Sequence, residues 1–245
     1  MAKRRKKRIK KADVKQAGAI AGAALKLAIA LVFAAPFVGA FLYKLMPPPG
    51  TWTMLERKMS GDVIAHPWTP IEKISPDLVR AVIAAEDSRF CKHRGIDYEA
   101  VQKAAEQNAK GGKRRGGSTI SQQTAKNVFL WTGGGYLRKA FEAWFAIVSD
   151  AIWGKRRTME IYLNVAEWGD GRFGAEAAAQ ALFRKPASQL TKDEAARLAA
   201  ILPSPNKWRA VNPGPYVRYR SAVIGKRMDI VRRDGLDQCV LGTRK

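Results

Sequence analysis

The chain has 245 residues and a mass of 27.1 kDa, which fits one domain with appendages and excludes a large multidomain assembly. Hydrophobic residues make up 47% of the chain, enough for a sizeable core, so a wholly disordered protein is also excluded. The charge is strongly unbalanced, with 44 Lys and Arg against 21 Asp and Glu and a formal net charge of +23. This excess predicts an anionic partner, such as nucleic acid, phospholipid or a phosphorylated substrate.

The first 43 residues combine a cationic tail with a long apolar segment. Residues 1–16 carry nine Lys and Arg against one Asp, and residues 17–43 contain Lys26 as their only charge. A helix of that length spans about 40 Å, more than the hydrocarbon core of about 30 Å. We therefore predict a cytoplasmic tail over 1–16 and a transmembrane helix over 17–43, with the following residues exported by the positive-inside rule. A cleaved signal peptide is the alternative, because residues 38–40 resemble a small-residue cleavage site.

Helical signals dominate the sequence beyond the membrane. Residues 44–70 are predicted to form a linker that starts with a stiff Pro-Pro-Pro-Gly spacer at 47–50, followed by one mostly helical domain over 71–235 and a tail over 236–245. The predicted helices run from a cap at Ser75 to Glu86 and Asp87, from the Thr119–Gln122 capping box through residue 130, over 136–153, over 157–166, and from Thr191 to about Pro203.

The cysteine and histidine content limits the possible chemistry. Cys91 and Cys239 are far apart in the sequence, and two cysteines alone give no disulfide framework, so we predict two free thiols. A single bridge is the alternative, because export would place them in an oxidising compartment. His66 and His93 are the only histidines, and no Cys/His cluster has the spacing of zinc ligands.

Residues 86–97 form the first candidate site. Three carboxylates, His93 and a glycine fall within twelve residues where the first helix gives way to a loop. Carboxylates at the carboxyl end of a helix face the negative end of its dipole, so another interaction must favour them there. One interpretation is a structural ion-pair network among Asp87, Arg89 and His93. The other is that such a network holds a general base.

Residues 111–127 form the second candidate site, a glycine-rich basic loop that leads into a helix. Gly117 stands where a nucleotide-binding phosphate loop would carry its lysine, which argues against nucleotide hydrolysis. The free backbone, three cations and a capped helix amino terminus still favour an anion, with Lys126 on the same helix. A flexible basic surface loop is the alternative.

Two more charged clusters follow. Arg138 and Lys139 precede Glu142 by one helical turn, and residues 155–157 precede Glu160 in the same way. Each cluster alone is typical of a solvated salt bridge worth a few tenths of a kcal/mol. Their number on an apolar helical framework instead favours several walls of one cleft.

These segments resemble the five signatures of the family 51 glycosyltransferases, in the order of that family. The matching stretches are Glu86-Asp87-x-x-Phe90-x-x-His93-x-Gly95-x-Asp97, Gly117-Ser118-Thr119-Ile120-Ser121-Gln122-Gln123-x-x-Lys126-Asn127, Arg138-Lys139-x-x-Glu142, Arg156-Arg157-Thr158-Met159-Glu160-Ile161-Tyr162-Leu163-Asn164 and Gly174-Ala175-Glu176-Ala177-Ala178-Ala179. The resemblance continues to about Trp208. Ser121 replaces a threonine often found there and keeps its hydroxyl, and Asp150 stands where relatives carry Glu.

The resemblance implies a mainly α, lysozyme-like fold with a head lobe and a smaller, membrane-proximal jaw lobe behind one transmembrane helix. The family polymerises lipid II into peptidoglycan with inversion, so Glu86 would be the general base. Glu142 would also act in catalysis, either holding a divalent ion or orienting the cations. The remaining residues expected to bind substrate and pyrophosphate are Asp87, His93, Ser118, Thr119, Gln122, Gln123, Lys126, Asn127, Arg138, Lys139 and Arg156.

The resemblance also implies the surroundings of the enzyme. No cofactor is required, and Mg²⁺ or another divalent cation is optional. The expected partners are lipid II, the nascent glycan chain and the bacterial inner membrane, with cell-division or elongation proteins left open and no nucleic acid. The catalytic domain would be periplasmic, and no transpeptidase activity is expected because the resemblance is to monofunctional members. The alternative is a peptidoglycan-cleaving lytic transglycosylase, which shares the fold but needs a protonated Glu as general acid.

Overall fold

The computed structural model describes residues 11–111 and 116–243. Within those ranges the chain forms ten α-helices: α1 (Lys11–Leu45), α2 (Trp52–Met59), α3 (Pro76–Glu86), α4 (Tyr98–Ala109), α5 (Ile120–Phe129), α6 (Gly135–Val165), α7 (Ala175–Phe183), α8 (Lys192–Ile201), α9 (Pro215–Arg233) and α10 (Gln238–Leu241). Over the same ranges β-structure is limited to isolated bridges. The predicted mainly α fold is confirmed. Most of the predicted tail over 1–16, and the cations Lys113, Arg114 and Arg115 of the basic loop, lie outside the described residues.

Helix α1 contains the predicted membrane span. Gly18–Leu45 is long and apolar enough to cross a membrane, and most of it is not covered by the body of the protein. Pro36 lies inside the helix without ending it. This helix fits a single-pass membrane anchor.

The last turns of α1 pack closely against the body. Ala40 is fully buried, and its carbonyl oxygen accepts a hydrogen bond of 2.7 Å from the indole N–H of Trp153. Gly39 permits the close approach, because a Cβ at this position would lie only 2.7 Å from the ring of Phe129. The anchor and the body therefore meet in a specific packed interface.

The predicted linker contains a short helix, α2. Thr51 caps it by accepting a 3.2 Å hydrogen bond from the backbone N–H of Met54. Met54 is buried in an apolar cluster with Trp153 and Phe173. With eight residues, α2 is too short for hydrophobic periodicity to reveal it in the sequence.

The larger hydrophobic core surrounds α3. Residues 78–84 of α3 are all buried, because the helix packs against both α8 and α9. The predicted start is confirmed: Ser75 accepts a hydrogen bond from the backbone N–H of Asp77, and Pro76 occupies the first turn. Glu86 therefore projects from the end of a rigid, buried helix.

A smaller apolar cluster lies between α5 and α6. It is built from Ala125, Leu130, Phe145 and Ala146 and adjoins the part of α5 and α6 that contacts α1. The separation of a large core from a smaller one near the anchor is consistent with the expected head and jaw lobes.

Helix α6 joins two helices that the sequence predicts separately, over 136–153 and 157–166. The break is at Gly154, whose φ of 69° and ψ of 172° are not helical. This positive φ favours glycine, because a Cβ would clash with the backbone. The helix is therefore kinked at this position, and both halves still contact α1: Trp153 binds the carbonyl of Ala40 and Arg157 binds the carbonyl of Tyr43.

The carboxyl-terminal end corrects the prediction about the cysteines. Cys91 and Cys239 are joined by a disulfide, with their Cα atoms 5.6 Å apart, so the prediction of two free thiols was wrong. Spacing in the sequence gave no sign of the bridge, because its two ends are 148 residues apart and meet only in the folded chain. Residues 236–241, at the start of the predicted tail, pack on the larger core around α3, and Val240 is buried there.

Candidate active site

Glu86 is the last residue of α3, and both of its carboxylate oxygens face donors. Gln123 on α5 donates a 3.0 Å hydrogen bond from Nε2 to Oε2. The guanidinium of Arg220 on α9 lies 3.5 Å from Oε1. The carboxylate is 14% exposed, so it is held from two sides and still reachable from solvent.

Tyr162 fixes the orientation of the Gln123 side chain. Its hydroxyl donates a 3.2 Å hydrogen bond to Gln123 Oε1. Burial first, and then the charges of Glu86 and Asp87, raise the pKa of Tyr162 well above its ordinary value, so the hydroxyl stays protonated. Because the Tyr162 hydroxyl donates to the amide oxygen of Gln123, the amide NH₂ faces Glu86.

Asp87 and His93 join the end of α3 to the start of α5. Asp87 Oδ2 lies 2.9 Å from His93 Nε2 and accepts a 3.0 Å hydrogen bond from the backbone N–H of Ile120. Both side chains are nearly fully buried. Arg89 does not complete this network, because it pairs with Asp97 and Glu99 instead. The structural interpretation is therefore right for Asp87 and His93 and wrong for Arg89.

Thr119 and Gln122 form the predicted capping box of α5. The Thr119 hydroxyl accepts from the Gln122 backbone N–H, and the Gln122 side chain accepts from the Thr119 backbone N–H, each at 3.1 Å. Thr119 also donates a 2.6 Å hydrogen bond to the carbonyl of Gly95. Both side chains are buried, so their contacts hold the start of α5 in place.

Glu142 forms ion pairs with both cations of the third signature. Its carboxylate is almost fully buried; one oxygen accepts a 2.9 Å hydrogen bond from Arg138, and the other accepts from Lys139. Lys139 also donates a 2.7 Å hydrogen bond to the hydroxyl of Ser118. Because each carboxylate oxygen already binds a cation, this donor set fits the orienting role better than the binding of a metal ion.

Lys126 lies beside this cluster. Desolvation lowers its pKa; the charge of Glu142 raises it, and the charges of Arg138 and Lys139 lower it further. Over the described residues, Lys126 has no ion-pair partner within 4 Å. A cation that is crowded by other cations and lacks a carboxylate of its own is well suited to bind an anion.

Two cavities contain most of these groups. A cavity of about 370 Å³ is lined by Gln123, Lys126, Asn127 and Arg138, among others. A second cavity of about 260 Å³ is lined by Glu86, Asp87, Ser118 and Thr119, among others. Gln123 lines the first cavity and hydrogen-bonds Glu86 in the second. The acid and the cations therefore share one region.

Arg156 lies apart from this region. It donates a 2.6 Å hydrogen bond to the carbonyl of Val240 and pairs with Glu72. The two residues that depart from the family pattern contact each other, since the Ser121 hydroxyl donates a 2.7 Å hydrogen bond to Asp150. Arg220 and Tyr162 join the site without having been predicted for it; the first lies beyond the five signatures, and the second was quoted only as part of the fourth.

Comparisons with known proteins give clear matches. The family model described as Transglycosylase matches residues 55–229. A "Biosynthetic peptidoglycan transglycosylase" of Caulobacter vibrioides is 56% identical over 217 residues, covering 88% of this chain and 95% of that protein. Proteins of the same name from Rhodospirillum centenum and Pseudomonas aeruginosa are 53% and 48% identical, covering 82% and 80% of this chain and 88% and 87% of those proteins.

Proposed function

The chain belongs to the transglycosylase family, and on that premise we propose that it polymerises lipid II into β-1,4 glycan strands of peptidoglycan. It is a glycosyltransferase enzyme of peptidoglycan synthesis. The proposal adds its substrate, its stereochemistry and the roles of its residues. It also includes the absence of transpeptidase activity.

In the proposed reaction Glu86 is the general base. It takes the proton from the 4-hydroxyl of the acceptor's N-acetylglucosamine while that oxygen attacks C1 of the donor's terminal N-acetylmuramic acid. The bond from C1 to the pyrophosphate oxygen breaks, and undecaprenyl pyrophosphate leaves with the bonding electrons. One displacement inverts the anomeric centre, so an α-linked donor gives a β linkage. An ordinary glutamate is ionised at neutral pH and can accept this proton.

The cations that line the cavity of about 370 Å³, together with the adjoining Lys139 of the Glu142 cluster, serve the departure of the pyrophosphate. Lys126, Arg138 and Lys139 would stabilise the charge that develops on its oxygens, and Asn127 and Ser118 would shape the pocket. Glu142 would hold Arg138 and Lys139 in position. We propose no step through a metal ion, because the Glu142 oxygens are both engaged by cations.

The observation that carries this proposal is the contact between Gln123 and Glu86. A synthetic enzyme needs both its general base and its pyrophosphate-binding cations close to the anomeric carbon that reacts. Gln123 contacts the base and also lines the cavity that contains the cations. Rigid placement of both groups is worth several kcal/mol of the barrier.

A lytic transglycosylase is the competing function. It would require Glu86 to be protonated before it acts as an acid. The guanidinium of Arg220 lies 3.5 Å from Glu86, and a neutral carboxylic acid would lose this ion pair. A cleaving enzyme also has no use for the cation cluster around Glu142. These two features favour synthesis.

We further propose that the body lies in the periplasm and that α1 crosses the inner membrane with its amino terminus in the cytoplasm. The disulfide supports export, because such bonds persist in oxidising compartments. The alternative of a cleaved signal peptide is disfavoured by the packing of Gly39 and Ala40 against the body. Binding to cell-division or elongation proteins stays open in this proposal, and no nucleic acid is expected.

Incubation of the purified full chain with labelled lipid II tests the function. We expect glycan ladders on a gel that lysozyme degrades and that the inhibitor moenomycin prevents. Incubation with mature peptidoglycan sacculi is the parallel assay for the lytic alternative. Release of sugar fragments from sacculi without polymerisation of lipid II would refute the proposal.

A further inference from the structure

Helix α2 of the linker turns one polar face toward the cation cavity. Thr53, Glu56 and Arg57 lie at positions i, i+3 and i+4 and therefore share a face of the helix. Thr53 lines the same cavity as Lys126 and Arg138. A segment between the anchor and the body thus contributes to the region that we assign to the pyrophosphate.

Glu56 fixes α2 to one rim of the cavity. Its two carboxylate oxygens lie 2.7 Å and 2.8 Å from the hydroxyl of Thr132, which lines the cavity. The next residue, Gly133, accepts a hydrogen bond from the guanidinium of Arg138 through its carbonyl. The loop that Glu56 holds is therefore the loop that contacts Arg138.

Arg57 fixes α2 to the opposite rim. Its guanidinium lies 2.7 Å from the carboxylate of Glu167, which also lines the cavity. Asn206 donates a 3.1 Å hydrogen bond to the same Glu167 oxygen, so this carboxylate is held from two directions. Adjacent residues of α2 thus bind two different loops across the cavity.

The outer face of α2 is apolar. Leu55 and Met59 on this face are 47% and 81% exposed, and Trp52, 49% exposed, lies at its edge, because its indole N–H donates a 2.6 Å hydrogen bond to Glu56. A helix that directly follows a membrane anchor and presents an apolar stripe outward is suited to the lipid surface. Its two faces match the two parts of a lipid diphosphate, an apolar chain and an anionic head.

We propose that α2 is a wall of the site for the lipid diphosphate, with Glu56 and Arg57 as positioning residues that hold this wall across the cavity. This inference rests on the proposed function for the identity of the ligand. The ligand class is a diphosphate ester of a long apolar alcohol. Thr53 faces its head group, and the Glu56 and Arg57 contacts keep the two rims at the separation that the head group requires.

Binding of farnesyl diphosphate to the full chain in detergent micelles tests the wall directly. The native cysteines form a disulfide, so a cysteine introduced by Thr53→Cys can be labelled with bimane. We expect its fluorescence to change when farnesyl diphosphate is added, whereas a bimane at Lys58→Cys, on the exposed side of α2, should not respond. Equal responses at both positions would overturn the proposal.

The two rim contacts are tested by calorimetry with the same probe. Glu56→Ala combined with Arg57→Ala should weaken the affinity for farnesyl diphosphate about tenfold, because the two rims of the cavity are then no longer held by α2. Glu56→Gln alone should stay near the wild-type affinity, because its amide oxygen still accepts from Thr132. Lys58→Ala is the control for charge and should have no effect. A folded double variant with wild-type affinity would overturn the proposal.

Lipid II polymerisation by the same preparations separates the two proposals. If the wild-type chain binds farnesyl diphosphate with the predicted pattern of variants but makes no glycan, the wall stands and the proposed function fails. If the chain makes glycan and the double variant keeps its affinity, the function stands and the wall fails.

Discussion

Replacement of Glu86 by Gln tests the proposed general base with almost no change of shape. The amide oxygen of the new side chain still accepts the 3.0 Å hydrogen bond from Gln123, but the attraction to Arg220 at 3.5 Å is lost. Since both members of that pair are partly exposed, we expect a loss of about 1 kcal/mol of stability or less. For a domain of this size, that corresponds to a fall of about 2–4 °C in Tm.

The effect on turnover should be much larger than the effect on stability. Loss of general-base catalysis lowers rates by about 10²–10⁴, which is about 3–5 kcal/mol of activation free energy. The assay is the initial rate of lipid II polymerisation at saturating substrate, with circular dichroism to show that the variant is folded. Glu106→Gln, on the exposed surface of α4, is the matched control and should keep wild-type turnover. If folded Glu86→Gln polymerises at the rate of the control, Glu86 is not the base.

Three further predictions concern charge, covalent closure and the anchor. The pKa of Lys126 is lowered in the folded chain, so as the pH rises this side chain should lose its proton before the pH reaches the ordinary lysine pKa of about 10.4. Activity should therefore fall on the alkaline limb of the pH-rate profile. Lys126→Arg should move the limb to higher pH in a pH-rate profile, and an unmoved limb would contradict the assignment. Cys91→Ser with Cys239→Ser should lower the free energy of unfolding by about 2–4 kcal/mol in denaturant titrations of the oxidised proteins; equal midpoints would show that the bridge does not stabilise the fold. Trp153→Phe removes the hydrogen bond to Ala40 and should lower stability by about 1 kcal/mol while exposing the linker to limited proteolysis; an unchanged cleavage rate would show that this bond does not hold the anchor.

Local signals in the sequence predicted the capped helices well. Ser75, Thr119 and Thr191 are N-caps in the structure, as the capping patterns indicated, because a cap is an interaction between residues two or three apart. Helices α4 and α9 were not predicted. Only one residue of α4 is buried, and α9 has a strongly basic composition that weakens its apolar pattern.

Contacts between distant segments could not be predicted from spacing. Arg220 approaches Glu86 only because α3 and α9 pack against each other, and no local pattern distinguishes it from the other arginines of α9. The disulfide depends on the same long-range folding. For Arg156 the sequence was misleading in the other direction: this residue belongs to a matching signature, yet it contacts Val240 near the end of the chain instead of the site.

The junction between α1 and the body relies on main-chain atoms of the anchor. Carbonyl oxygens near the end of a helix lack intrahelical donors, and Arg157 supplies donors to those of Tyr43 and Met46. Every residue type offers the same carbonyl group, so these hydrogen bonds do not themselves depend on the side chains at positions 43 and 46. An apolar helix transplanted in place of α1 would therefore keep these contacts with α6 only if it also kept a glycine at position 39, where a Cβ would lie 2.7 Å from the ring of Phe129.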